Sequence, residues 1–117
     1  MKHLTNREEE IMEFFWKKGS MFVKDLMELF SKPKLHYNTV STIVRGLEKK
    51  GFLKHEQFGN TYRYIPVISR KEFGKSSMEY LVNKYFNSSY SSVITMFYKE
   101  EKISAKKIQN IIRQSES

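Results

Sequence analysis

Apolar positions recur at helical spacing three times before the period changes. Ile11, Met12, Phe15 and Trp16 share one face of a 3.6-residue turn and predict a first helix over residues 6–18. Thr5 and Glu8 stand at its start in capping-box spacing, and Gly19 stops the pattern. A second helix, Val23–Ser31, turns Leu26, Met27 and Phe30 inward and Asp25 and Glu28 outward. Pro33 closes it, because the residue before a proline is pushed out of the helical region. A third helix fits Tyr37–Lys50, with Val40, Ile43, Val44 and Leu47 on one side and Gly51 supplying a left-handed residue after its last turn.

The period then drops to that of strands. Residues 52–57 and 61–65 suit two short strands, and Phe58-Gly59-Asn60 between them is a turn signal, so the pair reads as a β-hairpin ended by Pro66. Three helices and a hairpin in this order match a winged helix-turn-helix, with the third helix as reader and the hairpin as wing. The C-terminal third returns to helical spacing. Met78, Leu81, Val82, Tyr85 and Phe86 form one apolar stripe. Asn87-Ser88-Ser89 interrupts it, and Tyr90, Val93, Ile94, Phe97 and Tyr98 form the next. Ser104 stands where it can cap a last helix carrying Ile108, Ile111 and Ile112. Three short amphipathic helices do not enclose a core of their own. Their faces need another surface, either the N-terminal part of the same chain or, more economically, a second copy. The fold class read here is mostly α with a small β-hairpin: a winged-helix domain over residues 1–68 and a helical dimerisation region over 69–117.

Charge changes this picture by locating a surface. The chain of 117 residues carries a net +8, but residues 1–31 are slightly acidic. Residues 32–63 carry seven basic side chains against Glu48 and Glu56. Such a focus favours a polyanion. Asn38, Ser41, Thr42, Arg45 and Lys49 follow i, i+3, i+4, i+7, i+11 on the third helix, opposite its apolar side, with no acid among them. A solvated helix face normally mixes both signs of charge. A helix entering the major groove of double-stranded DNA needs small hydrogen-bonding groups that let its backbone approach base edges, and an arginine that can pair bidentately with guanine. Lys54, His55 and Arg63 on the hairpin are placed to touch phosphates, as are Lys32, Lys34 and Tyr37 before the reader. The alternative place for Tyr37 is in the core.

Little supports other chemistry. Cysteine is absent, which excludes disulfides, thiolate metal sites and thiol nucleophiles. Asp25 is the sole aspartate, and His3, His36 and His55 have no metal-ligand spacing, so neither catalysis nor a metal or other cofactor is expected. No apolar run reaches the roughly 18 residues of a membrane span, and the N-terminus has no signal-peptide core, so a cytoplasmic protein without membrane insertion is expected.

Leu4-Thr5, Glu10-Ile11-Met12, Trp16 and the run from Thr39 to Leu53 (TVSTIVRGLEKKGFL) resemble the penicillinase repressor family. That group includes the methicillin-resistance and copper-transport repressors. Tyr62-Arg63-Tyr64, Pro66 and Ser69-Arg70-Lys71-Glu72-Phe73 continue the likeness. The resemblance implies a homodimeric winged-helix repressor that binds a palindromic operator and controls its own operon. It carries DNA contacts over to Asn38, Thr39, Ser41, Thr42 and Arg45, although Thr39 lies off the stripe derived above. In antibiotic-responsive members a membrane sensor protease triggers cleavage in the dimerisation region. The family's Asn-Phe pair falls on Met96-Phe97 here, without the asparagine. Copper sensing through a C-terminal cysteine motif is excluded by composition. The rival reading is a winged-helix protein-interaction module with no sequence-specific DNA binding.

Overall fold

In the computed structural model, residues 3–30 and 34–116 are described. Expectations for Lys32 and Pro33 lie outside them, and the second helix ends at Leu29, two residues before the expected Ser31, because Phe30 is already extended. The order is α1 (Asn6–Lys18), β1 (Met21–Phe22), α2 (Val23–Leu29), α3 (Tyr37–Lys49), β2 (Leu53–Phe58), β3 (Thr61–Pro66), α4 (Arg70–Tyr85), α5 (Tyr90–Lys99) and α6 (Ala105–Glu116). The chain divides into two compact units, one up to Gly74 and one from Lys75 onward.

In the first unit α1 starts as its sequence dictates. Thr5 Oγ1 accepts from the Glu8 N–H at 3.1 Å, and Glu8 Oε1 accepts from the Thr5 N–H at 2.8 Å. Ile11, Met12 and Phe15 are buried with Val40, Val44 and Leu47 of α3 and Leu26 of α2. Lys50 at the end of α3 donates to Glu8 Oε1 at 2.7 Å, joining two helix ends 42 residues apart. Burial of Glu8 pushes its pKa up, but the hydrogen bonds and charge of Lys50 and the Thr5 N–H outweigh that and hold it below its ordinary 4.5. A lowered carboxylate pKa contributes stability above the ordinary value that is lost as pH falls through the folded one. Glu8→Gln is expected to cost about 1–2 kcal/mol at pH 7 and progressively less as pH falls below the ordinary 4.5 and through the folded value. Urea unfolding across that range checks this, and a loss that does not change with pH would remove the ion pair as the cause.

The end of α3 is a Schellman turn: the Phe52 N–H bonds Leu47 O at 3.0 Å and the Gly51 N–H bonds Glu48 O at 3.0 Å. Gly51 has φ +88°, the conformation that favours glycine. The strands run from Leu53 to Phe58 and from Thr61 to Pro66, one residue later than expected at the first start and one beyond each expected end. Pro66 fits the end of the ladder, opposite Leu53, where its missing N–H matters little. Gly59, at φ +57°, makes the turn. A third strand, too short to show in the sequence, is the two-residue β1. It pairs antiparallel with β3, Met21 opposite Tyr64 and Phe22 opposite Arg63, in the sheet order β1-β3-β2.

The unit from Lys75 onward is built differently. Among its described residues only Val82 is buried, so Val82, expected at a dimer contact, is already covered within its own chain. Met78, Leu81, Tyr85, Tyr90, Ile94 and Phe97 are exposed, Tyr85 at 64 %. Phe86, Val93 and Met96 are half-buried. The Asn87-Ser88-Ser89 break is a turn in which Asn87 and Ser88 take positive φ, and Ser89 Oγ caps α5 by accepting from the Ser92 N–H at 3.2 Å.

Candidate nucleic-acid interface

α3 divides as its periodicity predicts. Val40, Val44 and Leu47 have no exposed surface and Ile43 packs beside them, while Asn38, Thr39, Thr42, Arg45 and Lys49 are exposed and Ser41 is half-buried. Two of the exposed side chains are linked to each other and, through Thr42, to the helix backbone. Thr42 Oγ1 donates to the Asn38 carbonyl at 2.8 Å and accepts from Arg45 Nη2 at 3.2 Å. Thr42 thereby spends its proton on the helix backbone and steadies the guanidinium, so Arg45 has lost part of its rotamer freedom before any ligand arrives. No carboxylate pairs with Arg45 among the described residues. Tyr37 opens the helix, 53 % exposed, on the surface and outside the core.

The wing is held against this helix. His55 Nδ1 lies 2.6 Å from Glu48 Oε2 on α3, and its ring stacks on Tyr62 at 4.3 Å. Tyr64 beneath is buried, which raises its hydroxyl pKa, with the nearby Glu48 charge adding to the effect and Arg45 opposing it. The two wing cations differ. Arg63 is engaged locally: Nη2 donates to Glu56 Oε2 at 3.1 Å, the guanidinium lies 4.9 Å from the Phe58 ring centroid, and Nε is buried without a hydrogen-bond partner. Lys54 is exposed and has no ion-pair partner among the described residues. Lys54→Ala is therefore expected to weaken binding to all DNA sequences alike and to lower the salt slope by about one, with stability unchanged. Arg63→Ala should lower the melting temperature as well. Thermal melts beside salt titrations separate the two, and a sequence-selective loss for Lys54→Ala would overturn its placement on phosphate.

Sequence reasoning missed the far wall of this surface. Lys24, Asn60, Thr61 and Tyr62 line a cleft together with Tyr37, Ser41 and Arg45. Alternation of Tyr62 and Tyr64 along one hairpin face was the available signal, but the placing of Lys24 depends on β1. Among the described residues there is no cluster of His, Asp or Glu that could hold a metal, and no helix is long and apolar enough to cross a membrane.

A three-stranded sheet behind a helix whose exposed stripe carries Arg45 and Lys49 and no acid, with the hairpin clasped to that helix through Glu48, defines a winged-helix protein. The chain belongs to the penicillinase repressor family, whose model, described as Penicillinase repressor, matches residues 4–117. It is similar to the penicillinase repressor of Bacillus licheniformis, 24% identical over 109 residues that span 92% of this chain and 85% of that one. It is also similar to the methicillin resistance regulatory protein MecI of Staphylococcus aureus strain N315, 20% identical over 109 residues, 92% of this chain and 89% of the other. Among solved structures it matches the solution structure of the DNA binding domain of the repressor BlaI. The TM-score is 0.53 at 29% identity, covering 62% of this chain and 93% of that domain.

Proposed function

We propose that this protein is a sequence-specific DNA-binding transcriptional repressor of the cytoplasm, not an enzyme, acting as a homodimer on a palindromic operator of its own operon. The observation that carries the reading is the α3 stripe of Asn38, Ser41, Thr42, Arg45 and Lys49, which holds no acid, with Thr42 steadying Arg45, in a chain of this family. Asn38, Thr39, Ser41, Thr42 and Arg45 meet base edges; Tyr37, Lys49 and Lys54 meet phosphates, and Arg63 shapes the wing that carries them. The exposed faces of α4 and α5, from Met78 to Phe97, support pairing with a second copy. Two readers related by a two-fold axis set half-sites about one helical turn apart. Derepression by cleavage at Met96-Phe97, triggered by a membrane sensor protease, extends this reading; a chain left intact during induction by such a sensor would remove that step alone.

Fluorescence anisotropy on DNA from upstream of the gene, with scrambled DNA as competitor, tests the core of the proposal. Binding at least about a thousandfold tighter to one palindromic segment is expected, and it should fall steeply with salt. Equal, weak binding to both DNAs would bring forward the protein-interaction module.

A further inference from the structure

Between α3 and the hairpin lies a cleft of about 510 Å³, within the size range of small-molecule sites. The start of α2 and β1 close its third side. Its walls include Tyr37 and Tyr62, both exposed, whose aromatic surface suits a flat aromatic partner, with Tyr64 buried at its base. Arg45 and Lys24 bring two positive charges to it against the single carboxylate of its lining, Asp25, which accepts from the Phe22 N–H at 3.2 Å. Arg45 spends one donor on Thr42 and leaves its remaining donors for a carboxylate, which a guanidinium can bind in bidentate fashion. The walls are braced on two sides. The His55–Glu48 contact ties the wing to α3, and Phe22 meets Phe58 edge to face at 5.9 Å, tying the wing to β1.

We propose that this cleft binds a small, flat aromatic anion, its ring against Tyr37 and Tyr62 and its carboxylate on Arg45, and that occupancy withdraws Arg45 from DNA. The second half rests on the reading role given to Arg45 above; the first does not. A ligand seated there releases DNA without cutting the chain, because one guanidinium cannot hold the carboxylate and a base edge together.

The test uses 2-naphthoate, titrated into the full chain without DNA and followed by backbone amide NMR shifts. Saturable shifts at Tyr37, Ser41, Arg45, Thr61 and Tyr62 are expected. Tyr62→Ala and Arg45→Ala should each weaken binding at least tenfold, and 2-naphthalenemethanol, the same ring without the charge, should bind at least tenfold more weakly. Shifts confined to residues beyond Lys75, or equal binding of the uncharged compound, overturn the site. In a second arm, saturating 2-naphthoate should raise the apparent Kd for the preferred DNA segment at least tenfold over an equal concentration of sodium chloride. An unchanged Kd overturns the displacement. Should no DNA segment be preferred even without naphthoate, the repressor reading fails while the NMR arm still decides the site.

Discussion

Arg45→Ala is expected to weaken binding to the preferred DNA segment by about 1–3 kcal/mol, roughly fivefold to 150-fold, and to flatten the preference at one base pair of each half-site. The size follows from what the side chain has been spared. Thr42 Oγ1 holds Nη2 at 3.2 Å, and Thr42 is itself fixed on the Asn38 carbonyl at 2.8 Å. Arg45 has no carboxylate to leave among the described residues, so binding a guanine edge breaks no ion pair. Because the side chain is exposed and outside the core, the variant should unfold within about 0.5 kcal/mol of the parent. Anisotropy on a panel of single-base variants reads both affinity and preference. A loss of equal size on scrambled DNA would make Arg45 a phosphate contact and move base reading to Asn38, Thr39 or Ser41. Thr42→Val supplies an internal check. It keeps the shape but removes the oxygen that steadies Arg45, so it should lose a smaller part of the same preference at the same base pair.

The features of this surface that were legible in the sequence are those that depend on neighbours along one element. The α3 stripe follows from a 3.6-residue period, and the Gly51 turn from the glycine that its φ of +88° favours. What escaped depends on partners far away in sequence. β1 is only two residues long, and its register is set by β3, some forty residues later. Lys50 reads as one more cation of a basic run, yet it closes the Glu8 cap of α1. Arg63 reads as a wing phosphate contact, and only the pairing of β2 with β3 sets it opposite Glu56 and beside Phe58. Counting cations in the sequence therefore does not show which of them already have a partner within the wing.

Phe52→Ala is expected to cost the first unit about 3–5 kcal/mol, a large share of the stability of an ordinary domain. Phe52 follows the left-handed Gly51 and has no exposed surface. Its N–H bonds Leu47 O and its carbonyl accepts from the Val67 N–H, each at 3.0 Å, so its backbone joins the end of α3 to the chain leaving β3. Its ring meets Phe73 edge to face at 5.7 Å, and Phe73 lies 5.6 Å from Trp16, whose Nε1–H donates to Ile68 O at 2.8 Å. Removing the ring leaves a cavity among rings that position α3, the wing and the first turn of α4 together. The cost should therefore appear in DNA affinity as well as in unfolding. Trp16 is the only tryptophan and belongs to this cluster, so urea unfolding followed by its fluorescence reports the unit directly. Phe97→Ala, on the exposed face of α5, should leave that Trp16 transition within about 0.5 kcal/mol of the parent. A loss below about 1 kcal/mol for Phe52→Ala would mean that the surrounding rings collapse into the space, and that the wing holds its place on α3 through the His55–Glu48 contact instead.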